Sequence, residues 1–213
     1  MRIALIVLAA GKSSRTGSLG RKPLLPWPNG PGSLLGAVLE NYKDAHHWHD
    51  AVVVHRDDTP IYQRIVKDAG SLYRSITNSN ENAALSDSLR LGLNSISKAS
   101  EGALVALGDM PFVNQSTIQK ILESADPEKI VQPRVFDKPA NPVFFPSKFF
   151  EALRTSTGDK GGREIIKNNP QHVTTIEFTE PQIFQDIDTP EDYSKAIAQL
   201  TQLPKLSSFI PHP

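Results

Sequence analysis

The sequence predicts one α/β domain in which a mostly parallel sheet carries helices on both faces, a doubly wound arrangement of three layers. Two observations support this prediction. The chain has 213 residues, of which 38% are hydrophobic and 22% charged, which suits one globular domain with a full core. Apolar runs of strand length also alternate with helical patterns along residues 2–124, as they do in parallel sheets.

The first part of the chain supplies the strand–helix alternation. Continuous apolar runs are typical of strands that are covered on both faces. Such runs predict strands at residues 2–8, 51–55 and 103–107. Helical spacing of apolar residues predicts helices at residues 33–45, 61–69, 86–96 and 114–124. Ser33 is the expected N-cap of the first helix, and either Asn114 or Ser116 caps the last one.

The pattern changes after residue 129, where short elements stand among prolines. Strands are expected at residues 130–135, 142–145 and 172–178, with short helices at 147–154 and 162–168. A closing helix over residues 189–200 begins with Pro190 in its first turn. No linker divides the chain, so we expect one domain over residues 1–200 and a tail over 201–213.

Composition excludes several classes of function. The 23 basic and 23 acidic side chains balance, which argues against a nucleic-acid or membrane partner. The chain has no cysteine, which excludes disulfides, thiolate metal sites and a cysteine nucleophile. The apolar run at residues 3–10 is far too short to cross a bilayer and lacks the features of a signal peptide. We therefore expect a cytoplasmic protein.

The segment after the first strand has the composition of a phosphate site. Residues 8–17, LAAGKSSRTG, are small and basic, and small residues let backbone amides approach phosphate oxygens. Arg15 can form a bidentate fork to phosphate, whereas Lys12 or Lys22 can act as a point charge. The alternative is a turn with surface charges.

Two common phosphate motifs do not fit this segment. A P-loop requires glycine five residues before Gly11, where Ile6 stands inside the strand. A dinucleotide fingerprint requires three glycines, but the segment has only Gly11 and Gly17. The second mismatch also argues against an NAD-dependent oxidoreductase.

Aspartates follow the apolar runs at two further places. Asp109 comes directly after the strand at 103–107, so it should face the same crevice as the phosphate segment. Mg²⁺ prefers one or two carboxylates together with substrate phosphates, and Asp109 suits that role. Asp186 and Asp188 alternate and should point the same way, while Asp188 also precedes a helix start. A turn or N-cap aspartate is the alternative at position 109.

At these residues the sequence resembles the MobA-like nucleotidyltransferases, and it is most similar to their molybdenum cofactor cytidylyltransferase branch. The resemblance rests on LAAGKSSRTG, on Lys22-Pro-Leu-Leu-Pro, on the GDMP motif around Asp109 and on DIDTPED at residues 186–192. It extends to about residue 200 and implies the Rossmann-like nucleotidyltransferase fold. The chain departs from the family at Thr16, at Ala84-Leu85 and at residues 138–143, on the acceptor side.

The resemblance implies roles for individual residues. It makes Arg15, Lys22 and Asp109 catalytic, and Asp109 a ligand of Mg²⁺ with Asp188 or Asp186 as the second ligand, a choice that stays open. The implied nucleotide-binding residues are Leu8, Ala9, Ala10, Gly11, Lys12, Ser13, Arg15, Lys22 and Ser88. An N-cap role is the alternative for Ser88.

The resemblance also implies the reaction. An enzyme of this branch moves CMP from CTP, here favoured over GTP by Ala10, onto a molybdopterin-type cofactor phosphate and releases pyrophosphate. A molybdoenzyme or a chaperone would be its protein partner. The alternatives are a transferase for a sugar or polyol phosphate such as methylerythritol phosphate, and a non-catalytic nucleotide- or cofactor-binding protein.

Three weaker motifs leave alternatives open. Residues 158–163, GDKGGR, either hold the acceptor phosphate or form a plain loop. His46, His47 and His49 are better explained as solvated residues at a helix end than as a zinc site, because no third ligand converges. Trp27 is expected to pack in the core rather than to stack on a base.

Overall fold

The structure is a computed structural model that describes residues 1–11, 19–28, 31–56, 60–80, 82–158 and 162–202. Within these ranges the chain forms eight strands and seven α-helices. The strands are β1 (Ile3–Ala9), β2 (Asp50–His55), β3 (Tyr73–Thr77), β4 (Gly102–Leu107), β5 (Ile130–Val135), β6 (Lys138–Pro139), β7 (Val143–Pro146) and β8 (Val173–Phe178). The helices are α1 (Leu34–Lys43), α2 (Pro60–Asp68), α3 (Leu85–Ser95), α4 (Gln115–Glu123), α5 (Phe150–Thr155), α6 (Arg163–Asn168) and α7 (Pro190–Gln202).

All eight strands belong to one sheet, in the order β3-β2-β1-β4-β7-β5-β6 with β8 added on β5. Strand β1 is parallel to both β2 and β4, whereas β7 runs antiparallel to β4. From β1 the chain proceeds to β2 and β3 on one side, then returns to β4 on the other side. The carboxyl ends of β1 and β4 therefore flank a topological switch point, where α/β sheets bind their ligands.

The core confirms the three-layer arrangement. Alternate residues of β1 enter two separate hydrophobic clusters, one on each face of the sheet. Leu5 and Val7 pack with α1, α2 and α4, while Ile6 and Leu8 pack with α3 and α5. This double burial explains why β1 is a continuous apolar run rather than an alternating one.

A third cluster fixes the segments that lie closest to the switch point. It joins Leu25 and Trp27, which follow a short 3₁₀ turn at Lys22–Leu24, to Leu34 of α1 and to Ile187. Ala196 of α7 completes the cluster. Trp27 is buried and its ring meets Phe112 edge-on at a centroid distance of 5.8 Å, which confirms its expected packing role.

The predicted helix starts are found in the structure. The hydroxyl of Ser33 accepts a hydrogen bond from the Gly36 amide at 3.1 Å and caps α1. Asn114, rather than Ser116, caps α4, because its side chain accepts from the Thr117 amide at 2.9 Å. None of the helices in the described ranges is both long and apolar enough to cross a bilayer.

Some elements differ from the sequence prediction. Strand β3 was not expected, because in Tyr73–Thr77 only Tyr73 is buried and the apolar signal is weak. The predicted helix at 147–154 is divided into a 3₁₀ turn at Ser147–Phe149 and the short helix α5. Helix α7 continues to Gln202, and the rest of the predicted tail lies outside the described residues. The domain boundaries themselves stay a prediction.

Replacing Gly92 with alanine should destabilise the domain. Its new Cβ would lie 2.6 Å from Ile6 Cγ2 in the centre of the sheet. Overpacking of this kind costs about 1–3 kcal/mol, partly offset by the better helix propensity of alanine. Urea unfolding should show a lower midpoint for Gly92→Ala. Gly11→Ala is the control, because its Cβ would meet no described atom within 4 Å; equal midpoints for both variants would contradict this packing.

Candidate active site

The close approach of β1 and β4 positions Asp109. The Gly108 amide donates to the Leu8 carbonyl at 2.9 Å, so the pairing continues one residue beyond β4. A Cβ on Gly108 would lie 2.8 Å from the Cβ of Ala9, which leaves room for glycine alone. The next residue, Asp109, consequently emerges at the switch point beside the end of β1.

The segment before α7 is held against this turn. The Ile187 amide donates to the carbonyl of Asp109 at 3.0 Å, and the Ile187 side chain is fully buried in the third cluster. Asp186 and Asp188 flank this anchored residue. Two acidic segments that are far apart in sequence are thus joined by a backbone hydrogen bond.

Lys22 completes the arrangement. Its Nζ donates to Asp109 Oδ2 at 2.9 Å and to Asp188 Oδ1 in a short hydrogen bond. The side chains of Lys22, Asp109 and Asp188 are 13%, 25% and 29% exposed, so water screens these ion pairs only in part. The structure therefore brings together three residues that the sequence had singled out separately. We call them the lysine–aspartate triad.

The charges of the triad shift the pKa values around it. Burial alone would lower the pKa of Lys22, but attraction to Asp109 and hydrogen bonds to both aspartates outweigh it, so the pKa is raised. The pKa of Asp186 is raised by burial and by repulsion from Asp188 and Asp109. Asp186 thus lies within electrostatic range of the triad, and Lys22 lowers its pKa only weakly.

The triad fits a divalent cation in charge and in donor type. Asp109 Oδ1 is buried and has no hydrogen-bond partner within the described part of the chain. One ammonium faces two carboxylates, which leaves a net negative charge. Within the same ranges no group of three or more His, Cys, Asp or Glu side chains could hold a metal by itself. Mg²⁺ does not require one, since it commonly combines one or two carboxylates with phosphates.

The start of α7 explains why Asp188 is available to Lys22. Thr189 and Asp192 form a reciprocal cap in which the Thr189 amide donates to Asp192 Oδ2 at 2.9 Å and the Asp192 amide donates to Thr189 Oγ1 at 3.1 Å. The predicted helix start is therefore correct. Because Asp192 satisfies the backbone at this end, the carboxylate of Asp188 can turn into the crevice.

The phosphate segment is described only at its beginning. Leu8, Ala9 and Ala10 are buried and Gly11 is exposed. Lys12, Ser13 and Arg15 lie outside the described residues, so their predicted roles stay predictions. Sequence reasoning missed Arg56, whose Nε donates to the Ala10 carbonyl at 3.3 Å. Its signal was its position directly after β2, at the same edge of the sheet.

A second arginine lies near Arg56. Arg21 forms a hydrogen bond with the Tyr62 hydroxyl. Burial raises the pKa of Tyr62, and the positive charges of Arg21 and Arg56 partly offset that rise. Arg21 and Arg56 place positive charge near the carboxyl end of β2. An anionic ligand at this edge would meet charge of the opposite sign.

A narrow cleft of about 80 Å³ opens at the carboxyl ends of β1 and β4, on the face covered by α3. Its floor is apolar, and polar side chains of Gln132, Asn141 and Arg163 line it. Asn141 belongs to the segment where the sequence departs from the family pattern. The remaining lining residues are Leu8, Leu85, Leu89, Val105, Leu107, Pro139, Ala140, Val143, Phe145, Gly162 and Ile166.

Ser88 lies inside α3 and not at its start. The N-cap of α3 is Ala84, so the alternative N-cap role of Ser88 was wrong. The Ser88 hydroxyl is buried and accepts from Asn78 Nδ2 at 3.1 Å, and its role in holding a base stays a prediction. Ser86, two residues earlier, is buried with a hydroxyl that has no hydrogen-bond partner in the described ranges.

The remaining motifs lie away from the triad or outside the described residues. His46 packs edge-on against Trp48, and burial lowers the pKa of His46, which suits a neutral ring at a helix end. In the 158–163 motif, residues 159–161 lie outside the described ranges and Arg163 begins the short helix α6.

A switch-point crevice with a lysine between two aspartates is a site in an α/β fold whose charges suit an anionic ligand and a cation. Comparison with known proteins identifies it further. Residues 5–174 match the model of the MobA-like NTP transferase domain, and the chain belongs to this family. It is accordingly a nucleotidyltransferase with the Rossmann-like fold, as the sequence had predicted.

Individual relatives match between 62% and 93% of the chain. A probable molybdenum cofactor guanylyltransferase from Methanosarcina acetivorans is 26% identical over 92% of this chain and 90% of its own length. The bifunctional enzyme IspD/IspF of Brucella anthropi is 29% identical over 62% of this chain and 32% of its own length. The crystal structure of Rv0371c from Mycobacterium tuberculosis superimposes with a TM-score of 0.77 at 25% identity, covering 93% and 99% of the two chains. A complex of Rv0371c with manganese has also been solved, and nucleotidyltransferases of this kind typically use divalent metals.

Replacing Thr189 with valine should destabilise the protein through the α7 cap. The change keeps the shape of the side chain but removes the hydroxyl that bonds Asp192, and loss of such a cap costs about 1 kcal/mol. Urea unfolding measures the effect. Thr201→Val is the control, because that exposed hydroxyl bonds only to carbonyls of its own helix. An equal loss in both variants would argue against the cap.

The stabilising effect of this cap should depend on pH. The hydrogen bond from the Thr189 hydroxyl lowers the pKa of Asp192 in the folded protein. The resulting stabilisation is present above the unfolded pKa of about 3.9 and is lost as the pH falls through the lower folded value. The difference between wild type and Thr189→Val should therefore shrink below about pH 4. A constant difference from pH 7 to pH 3 would contradict this.

Proposed function

We propose that the chain transfers CMP from CTP to the terminal phosphate of a molybdopterin-type cofactor, with Mg²⁺ bound at Asp109 and Asp188. The observation that carries the proposal is the lysine–aspartate triad at the switch point of a MobA-like domain. The molybdenum cofactor guanylyltransferase among the relatives supports the acceptor. Ala10, which the sequence shares with the cytidylyltransferase branch, supports CTP.

The proposed reaction is an in-line substitution at the α-phosphorus of CTP. An oxygen of the acceptor phosphate forms the new bond to this phosphorus, while the bond between the α-phosphorus and the bridging oxygen breaks. The electron pair leaves with pyrophosphate. A phosphate nucleophile is already ionised at neutral pH, so the chain needs no general base. Its contribution is to position the reactants and to stabilise charge.

The residues of the crevice divide this work. Lys22 neutralises negative charge on the phosphates, and backbone amides around Ala10 and Gly11 provide donors for their oxygens. Arg56 holds the carbonyl of Ala10 and thereby fixes the direction of that backbone. Asp109 and Asp188 would hold Mg²⁺, which supplies positive charge at the transferred phosphate when bound. Arg15 would add a bidentate contact to phosphate.

The cleft beside α3 presents both apolar and polar groups to a reactant in the crevice. Leu85, Leu89 and Phe145 offer apolar surface to a flat ring system, while Gln132 and Asn141 offer amide donors and acceptors. Arg163 adds a cation suited to phosphate. This combination supports a ring-containing acceptor with a phosphate group.

Replacing Asp109 with alanine should nearly abolish pyrophosphate release. Removal of one charge-stabilising group typically lowers the rate about 10²–10³-fold. The measurement is a coupled pyrophosphate assay with CTP, Mg²⁺ and molybdopterin cofactor. Asp68→Ala is the matched control, because the Asp68 carboxylate is exposed and pairs with Arg64. Near-normal turnover by Asp109→Ala would remove the metal assignment.

The same assay tests the choice of nucleotide and acceptor. With molybdopterin cofactor as acceptor, CTP should support pyrophosphate release and GTP should not. Activity with GTP alone would place the chain with guanylyltransferases such as the Methanosarcina relative and refute the choice of CTP.

A polyol phosphate is the second candidate acceptor. The match to the bifunctional IspD/IspF enzyme supports it, as does the fold of a 4-diphosphocytidyl-2C-methyl-D-erythritol synthase. CTP turnover with methylerythritol phosphate and none with molybdopterin cofactor would favour this candidate. Binding of CTP in calorimetry without pyrophosphate release from any acceptor would instead indicate a non-catalytic protein.

A further inference from the structure

Lys22 and a divalent metal require the same carboxylates. The Lys22 ammonium already bonds Asp109 Oδ2 and Asp188 Oδ1, one oxygen from each aspartate. A metal ion held by these two side chains would lie next to that ammonium. Because the three side chains are mostly shielded from water, repulsion between the two cations would be poorly screened.

The Lys22 backbone has little freedom to move away. Lys22 begins a 3₁₀ turn in which Pro23 is buried, and the Leu24 amide donates to the Arg21 carbonyl at 2.9 Å. Directly after the turn, the Leu25 carbonyl accepts from the Leu34 amide at 2.8 Å and ties the turn to α1. What can move is the flexible four-carbon side chain, which can carry its charge to another anion nearby.

We propose that Lys22 keeps divalent metal out of the Asp109–Asp188 pair until a triphosphate offers the ammonium another anionic partner. The inference rests on the proposed function, since it takes a nucleoside triphosphate and a divalent cation as the ligands. Metal and nucleotide then bind as a coupled pair. By thermodynamic reciprocity, each ligand raises the affinity for the other by the same factor.

The coupling between metal and nucleotide arises because Lys22 has different partners in the two states of the crevice. Without nucleotide, metal binding must weaken the two ion pairs that Lys22 makes with Asp109 and Asp188 in a mostly shielded crevice. With nucleotide, the phosphates take over the ammonium, and the two carboxylates gain the metal. Within the described ranges Asp109 Oδ1 is buried without a hydrogen-bond donor, an electrostatic cost that a bound cation would relieve.

Manganese binding tests this inference without measuring turnover. Free Mn²⁺ is titrated by electron paramagnetic resonance against wild-type protein, with and without a non-hydrolysable CTP analogue. The analogue should raise the affinity for Mn²⁺ by about 5–150-fold, the usual range of coupling between sites. A correction for Mn²⁺ bound to the free analogue is measured without protein.

The decisive variant is Lys22→Met, which keeps the length of the side chain and removes its charge. It should bind Mn²⁺ without nucleotide about tenfold more tightly than wild type, and the analogue should raise its affinity by a smaller factor than in wild type. Lys22→Arg keeps the cation and should bind Mn²⁺ as weakly as wild type. Lys120→Met is the matched control, because Lys120 contacts Phe178 and the Glu177 carbonyl instead of the aspartates. Thermal unfolding checks that each variant is folded.

Two outcomes separate failure of this inference from failure of the proposed function. If wild type binds Mn²⁺ tightly without the analogue, or if Lys22→Met binds it no better than wild type, Lys22 does not exclude the metal. The proposed metal site would still stand if Asp109→Ala removed the binding. If wild type binds no Mn²⁺ even with the analogue, both the metal site and the inference fail.

Discussion

The ion pairs of Lys22 with Asp109 and Asp188 are the interaction on which the arrangement of the crevice depends. Each partner comes from a different segment, and a different constraint holds each one. Asp109 follows Gly108, where the close approach of β4 to β1 leaves no room for a side chain. Asp188 follows Ile187, which is fully buried. Breaking these ion pairs in a mostly shielded crevice is unfavourable. The triad thus joins the N-terminal turn, the centre of the sheet and the start of α7.

Much of the fold could be predicted from the sequence, because its central strands are buried on both faces. In β1 and β4 the double burial produces continuous apolar runs, and caps such as Ser33 and Asn114 mark the helix starts. Strand β3 escaped prediction because pairing with β2 stabilises it more than its own burial does. Strand β3 therefore depends on its pairing with β2, because its own sequence lacks the apolar pattern of a strand.

The candidate site was predictable to a different extent. Asp109 could be placed because it follows a buried strand, and the family motif drew attention to Lys22 and Asp188. The contact between them could not be predicted, since it depends on how α7 packs on the turn after Lys22 through Ile187 and Leu25. Arg56 was missed because it contacts a backbone carbonyl, and the sequence contains no motif that indicates such a contact.

The charge balance of the triad connects its structural role with its chemical one. A lysine that only stabilised the fold would need one carboxylate, but Lys22 faces two and has Asp186 within electrostatic range. Burial, together with repulsion from Asp188 and Asp109, raises the pKa of Asp186, so its ionised form carries an energetic cost. A bound metal would remove this cost, while the phosphates that accompany it would engage Lys22. The charges of the triad therefore match a metal ion and a nucleotide together.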